Sequence, residues 1–207
     1  IATVSSAGVV TGVSGGTTNI NYTVTGAGGC QTVVSRSVTI YSTAPGTPNT
    51  YGNGVWNAYV YNANNFSSNY SGYFTTASAL SYSTTVDYLT NQPPSTAATY
   101  LGCQVNQTGY SVRFQRTNFT PGIYQIDITN NDDDMAVLLN GTTIYSFGTN
   151  NNTPRSNVWT GTLGATSQLE FRYSNTGGGP GYMAFTITSV TKTASTAGTI
   201  GGNQVAC

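Results

Sequence analysis

The sequence predicts an all-β protein: an antiparallel β-sandwich preceded by a smaller, partial β unit. Three observations carry this. Helix signals are almost absent, because Gly and β-branched residues recur throughout and Ala, Leu, Glu and Lys never form an amphipathic run. Short apolar or alternating runs recur at the spacing of sandwich strands. Two small-residue segments, 43–48 with two prolines and 193–207, punctuate the chain.

The elements follow in order. Residues 18–24 and 33–41 alternate polar and apolar around the loop Gly26-Ala27-Gly28-Gly29, which reads as a hairpin. The segment Ser42-Thr43-Ala44-Pro45-Gly46-Thr47-Pro48 marks the best domain boundary, placing a first unit at 1–42, a linker at 43–48 and the sandwich at 49–192. Strand candidates within the sandwich are 55–61, 110–117, 122–129, 135–140, 142–147, 157–163, 167–174 and 181–191. Asn140-Gly141 between Leu139 and Thr142 is a type I′ turn signal, and Pro121-Gly122 marks another turn. Residues 75–100 carry little periodicity and contain Pro93-Pro94, so they read as a long loop. Tyr70, Tyr73 and Phe74 read as a loop cluster after the 55–61 strand. Residues 193–207 read as a linker and the start of a next unit.

Composition narrows the partners. Of 207 residues only 6% are charged, with zero net charge and no His. Phosphate binding needs clustered Lys and Arg, so nucleic acid is not an expected partner, and the same holds for an anionic membrane surface. No run approaches the length of a membrane-spanning helix, and no charged and then apolar leader opens the chain, so no membrane insertion is expected. Cys30, Cys103 and Cys207 are odd in number and far apart, which implies either a free thiol or a partner Cys elsewhere. Without His, zinc ligation by these residues is not expected. The Thr/Asn/Tyr-rich composition fits an extracellular, cell-surface location better than the cytosol.

The most informative motif is Asp132-Asp133-Asp134, three of only six acidic residues. No Lys or Arg lies within ten positions on either side, so the mutual repulsion has no local partner. The triplet opens the apolar run Met135-Ala136-Val137-Leu138-Leu139, which places it at a strand edge. A hard cation with oxygen preference is its simplest partner, and Ca²⁺ is the expected cofactor. An Asp run that merely caps a turn is the competing reading.

Two resemblances extend this reading. The run Ile1–Thr18 follows the order of strand, Ser/Gly turn, Val-x-Gly and Gly-Thr before an alternating strand. It resembles the C-terminal half of a bacterial group-2 immunoglobulin-like domain. The first strands of that family have no counterpart, which implies a segment of a longer, multi-domain surface protein. A half sandwich leaves an unpaired edge and half a core, so pairing with missing sequence, a neighbouring domain or another copy is expected. The second resemblance rests on Thr129-Asn130-Asn131-Asp132-Asp133-Asp134-Met135-Ala136-Val137-Leu138-Leu139-Asn140-Gly141, on Phe119-Thr120-Pro121-Gly122-Ile123-Tyr124, and on Glu170–Gly179 followed by Met183-Ala184-Phe185-Thr186-Ile187. These resemble the lectin-like β-sandwich of anthrax protective antigen and the yeast flocculins, with residues 46–105 matching only loosely.

In the lectin branch of that family an Asp-Asp pair joined by a cis peptide binds Ca²⁺, and the ion binds sugar hydroxyls. The resemblance therefore implies Asp132, Asp133 and Asn175 as metal ligands, with carbonyls near Gly177 and Gly179. Asp134 stands where the family usually has Gly, and it either adds a ligand or crowds the sugar. Trp159 and Tyr182 are candidate stacking residues, and Asn151 and Asn152 lie in a polar, ligand-like loop ahead of Trp159. Trp56, in contrast, reads as core. Catalysis finds little support. Without His there is no Ser-His or Cys-His dyad, and Glu170 and Asp127 read as strand residues offset by Arg172 and Arg113. The expectation is a non-catalytic module of a large secreted adhesin, resembling the giant adhesins of gliding Bacteroidota and binding a glycan or surface through calcium. The rivals are a structural repeat or spacer in a stalk or filament, and a carbohydrate-binding appendage of a secreted glycoside hydrolase.

Overall fold

A computed structural model describes residues 1–88, 92–148, 153–177 and 181–191. The expected segment 193–207 lies outside the described residues. The first unit holds β1 (Ala2–Val4) paired with β2 (Val10–Gly12), and β3 (Gly16–Thr25) paired with β4 (Gln31–Ile40). The β3–β4 register sets Ile20 opposite Arg36, Tyr22 opposite Val34 and Thr18 opposite Val38. Opposed residues share a face, so one face is largely apolar, with Arg36 on it, while Asn19, Ser37, Asn21 and Ser35 make the other polar. That face is uncovered at one end, where Tyr22 is 70% exposed and Val34 61%, while Thr18, Ile20, Val38 and Ile40 at the other end are half-buried.

The remaining strands form two sheets. In chain order they are β5 (Gly52–Asn53), β6 (Asn57–Tyr61), β7 (Tyr70–Thr75), β8 (Tyr82–Ser83), β9 (Leu101–Gly102), β10 (Tyr110–Thr117), β11 (Gly122–Asp132), β12 (Asp134–Leu139), β13 (Thr142–Phe147), β14 (Arg155–Leu163), β15 (Leu169–Asn175) and β16 (Tyr182–Ser189). The larger sheet runs β13-β12-β15-β10-β6-β7-β9, with β5 also paired to β10, and the smaller runs β14-β11-β16-β8. Apart from the short parallel contact of β5, every pairing is antiparallel. The two sheets enclose an aromatic core in which Trp56 meets Phe171 and Phe185 edge-on at 5.4 and 5.3 Å. Trp56 is therefore a core residue, as the sequence reading preferred. Asn140 and Gly141 both take positive φ, 50° and 81°, which is the backbone a type I′ turn requires.

Several expectations change. Tyr70, Tyr73 and Phe74 belong to a strand, β7, rather than a loop. The strand escapes pattern reading because Gly72 interrupts it. Gly72 and Gly102 each hold positive φ where β7 and β9 approach too closely for a Cβ. Residues 75–100 are not wholly loop: they contain β8 and two 3₁₀ turns, Thr84–Val86 and Pro94–Thr96. The proline linker lies against the sandwich, since Tyr70 Oη donates to the Pro45 carbonyl at 2.6 Å and Tyr59 Oη to the Thr50 carbonyl at 2.8 Å. Cys30 and Cys103 are exposed free thiols. No helix among the described residues is long and apolar enough to cross a membrane.

Candidate functional site

The acidic triplet spans the passage from one sheet to the other. Asp132 ends β11 in the smaller sheet, and Asp134 opens β12 in the larger. A register shift between Ile128 and Asn130 resets the alternation of β11. Past it, Asn131 turns inward and is fully buried, while Asp132 turns outward opposite Tyr182. The peptide bond between Asp132 and Asp133 is cis.

Hydrogen bonds fix this passage from both sides. Asn131 Nδ2 donates to the Asp133 carbonyl at 2.9 Å, and Arg155 Nη1 donates to Asn131 Oδ1 at 2.8 Å. Tyr173 Oη donates to the Asp132 carbonyl. The Asp133 carboxylate is 8% exposed, and its Oδ2 accepts both the backbone N–H and the hydroxyl of Thr176, each at 2.7 Å. Asn175 is buried beside it, with Nδ2 donating to the Gln107 carbonyl at 3.2 Å. The loop after β15 is thus tied to the acidic pair across 43 positions of chain. Burial, and then the neighbouring Asp133 carboxylate, push the Asp132 carboxyl up from its ordinary range. No salt bridge among the described residues reaches either aspartate.

No protein-family model matches the chain, and no curated protein matches it in sequence. Among solved structures, the chain is similar to the PA14 domain of the MpAFP antifreeze protein. The identity is 15% and the TM-score 0.48, over 71% of this chain and 87% of that one. It is similar to the PA14 sugar-binding domain of an RTX adhesin at 14% identity and TM-score 0.46, over 65% and 89%. A third similarity is to the GH31 α-xylosidase of Xanthomonas citri, at 13% identity and TM-score 0.46. It covers 68% of this chain and spans 14% of the xylosidase.

The structure brings some expected site residues together and separates others. Asp132, Asp133, Asn175 and Tyr182 gather at one edge, and Gly177 follows with φ +130°. Gly179, Asn151 and Asn152 lie outside the described residues. Trp159 does not join them. It sits opposite Ile126, roughly 20 Å back along β11 at about 3.3 Å per residue, with its indole packed across Gly161 and against the core. Asp134 stands apart as well: strand alternation turns it with Ala136 to the outer face of the larger sheet, while Met135 and Val137 enter the core. Thr176, Asn131 and Tyr173 were not singled out from the sequence. The inward position of Asn131 follows from a register shift, and the contact of the exposed Thr176 with Asp133 from chain closure, neither of which leaves a local pattern.

Proposed function

We propose that this chain is a non-catalytic binding module of a secreted, cell-surface adhesin, that it holds Ca²⁺ at Asp132 and Asp133, and that the ion engages glycan hydroxyls. The observation that carries this is the uncompensated pair: two adjoining carboxylates, one pushed toward its protonated form by burial and by the other, with no Lys or Arg among the described residues ion-paired to either. Among the described residues no three His, Cys, Asp or Glu side chains gather to hold a metal on their own. The donor set fits a hard cation nonetheless. Thr176 occupies one oxygen of Asp133 and leaves Oδ1 for the ion, and Asp132 brings its carboxylate. Asn175 commits its Nδ2 to Gln107, which leaves the amide oxygen as its contribution. Calcium takes six to eight oxygens, so carbonyls, water and ligand hydroxyls would complete the shell. Bound there, the ion would supply positive charge that polarises and orients vicinal hydroxyls.

Calorimetric titration of the chain with CaCl₂ tests this. The expected result is one site, absent in Asp133→Asn. A glycan array with and without chelator then reads whether sugar binding follows the ion. No heat, together with melting that ignores chelator, contradicts the proposal.

A second reading rests on a different observation. The exposed apolar end of the β3–β4 face, Tyr22 and Val34, favours a structural spacer in which neighbouring units cover it. Under this reading calcium only holds the loop after β15.

A further inference from the structure

The residue that departs from the Asp-Asp pattern opens a separate site. Asp134 lines a pocket of about 280 Å³ on the outer face of the larger sheet. A cross-strand row explains why a pocket forms there. Tyr73, Tyr59, Arg113, Arg172, Ala136 and Ser146 stand in register across that face. The row is bulky until Ala136 and Ser146, where the side chains become small and the surface dips. Arg172, Phe66 from the loop between β6 and β7, and Phe147 at the end of β13 also line the pocket.

The chemistry of the lining is mixed in a specific way. Arg172 holds Glu170 through Nε at 2.6 Å, and no hydrogen bond among the described residues uses its terminal nitrogens. Its guanidinium carbon lies 5.7 Å from the Phe66 ring centroid. Phe147 stands opposite the inward-facing Met135 and is covered by Arg155 at 3.5 Å, so Phe66 is the platform on the outer face. The Asp134 carboxylate forms no hydrogen bond or salt bridge among the described residues. Asp134 and Arg172 therefore share one pocket without pairing to each other.

From this geometry we infer that the pocket is a calcium-independent subsite for one neutral sugar ring. A pyranose offers hydroxyls that donate to Asp134 and accept from Arg172, and a C–H face that packs on Phe66. The opposed charges select for a neutral ligand, because a uronate drawn to Arg172 would meet the Asp134 carboxylate. The volume falls near the lower end for small-molecule sites, which suits a single ring. This site stands without the calcium reading, since none of its contacts uses Asp132 or Asp133.

The test is a two-dimensional ¹H–¹⁵N titration of the full chain in EGTA. The probes are the methyl glycosides of glucose, galactose, mannose, fucose and N-acetylglucosamine, plus methyl glucuronide. The expected result is saturable shifts at Phe66, Ala136 and Ser146 with at least one neutral sugar, at a Kd on the order of 1–10 mM. Phe66→Ala and Asp134→Asn should each weaken it by roughly tenfold, while replacing EGTA by CaCl₂ leaves it unchanged. Arg172 is not the residue to change, because it also neutralises Glu170. No shift with any neutral glycoside, shifts unmoved by either variant, or tighter binding of the glucuronide would each overturn the inference. Pocket binding that appears in CaCl₂ but not in EGTA would overturn its independence from calcium. Pocket binding with no calcium heat would leave this site standing and remove the one beside it.

Discussion

Glu170 and the Asp132–Asp133 pair are both acids on partly or fully buried backbone, and the protein treats them in opposite ways. Glu170 is 2% exposed and surrounded by donors. Arg113 reaches it through Nε at 2.7 Å and Nη2 at 3.0 Å, Arg172 through Nε at 2.6 Å, Gln115 at 3.0 Å and Tyr51 Oη at 3.2 Å. Burial alone would raise its pKa, yet the bonds from Arg113, Arg172 and Gln115 hold it at about 2. Tyr51 in turn is pushed up to about 12, first by burial and then by the Glu170 charge. Asp132 shows the reverse: burial and its neighbour raise it, and no basic side chain among the described residues pairs with it. A charge the fold compensates internally serves the fold. A charge it leaves uncompensated at an edge is available to an external cation.

Breaking the compensated side should have the largest effect. Arg113 and Arg172 stand directly opposite each other across β10 and β15, an arrangement of like charges that Glu170 offsets by pairing with both. Glu170→Gln should therefore cost about 3–5 kcal/mol in urea unfolding, as for removal of one partner from a buried ionic cluster. A loss under 1 kcal/mol would show that the network matters little to the fold.

Acidity sharpens the same contrast. Glu170 is depressed in the folded state to about 2 from 4.5, so its contribution is present above about pH 4.5 and fades as pH falls toward 2. Integrated over that interval it is at most on the order of 3 kcal/mol, at about 1.4 kcal/mol per pKa unit. Asp132 is raised when folded, so without calcium its strain is relieved as pH falls through that raised value. With saturating calcium this second slope should reverse, because protonation then competes with the ion. Melting curves across pH 3–7, with CaCl₂ or with EGTA, separate the two slopes.

Thr176→Val is the smaller lever. It removes one of two bonds to Asp133 Oδ2 and keeps the backbone N–H. Calcium affinity should fall by roughly 10–100-fold, as for loss of an outer-shell partner, with little change in melting of the calcium-free chain. Unchanged affinity would mean that Thr176 serves loop closure alone.

Much of this was legible in the sequence, for physical reasons that differ by region. The β3–β4 hairpin and β10 declare themselves because apolar residues recur there with a period of two. The Asn140-Gly141 turn declares itself because positive φ selects those residues. The strands β8 and β9 have two residues each and carry no period to read. The acidic pair was visible by its lack of a local cation. Its anchoring to Thr176, and the displacement of Trp159 along β11, are products of register and closure over long separations. The outward turn of Asp134 follows from alternation with Met135 and Val137, but the pocket it enters depends on Phe66 from a distant loop.

Thermal melting of the chain in CaCl₂ and in EGTA, alongside Asp133→Asn, tests the central contrast most directly. The account predicts a higher melting temperature in calcium for the parent chain, by several degrees at about 100 times Kd, and none for Asp133→Asn. Coincident curves for the parent chain in CaCl₂ and EGTA would contradict it.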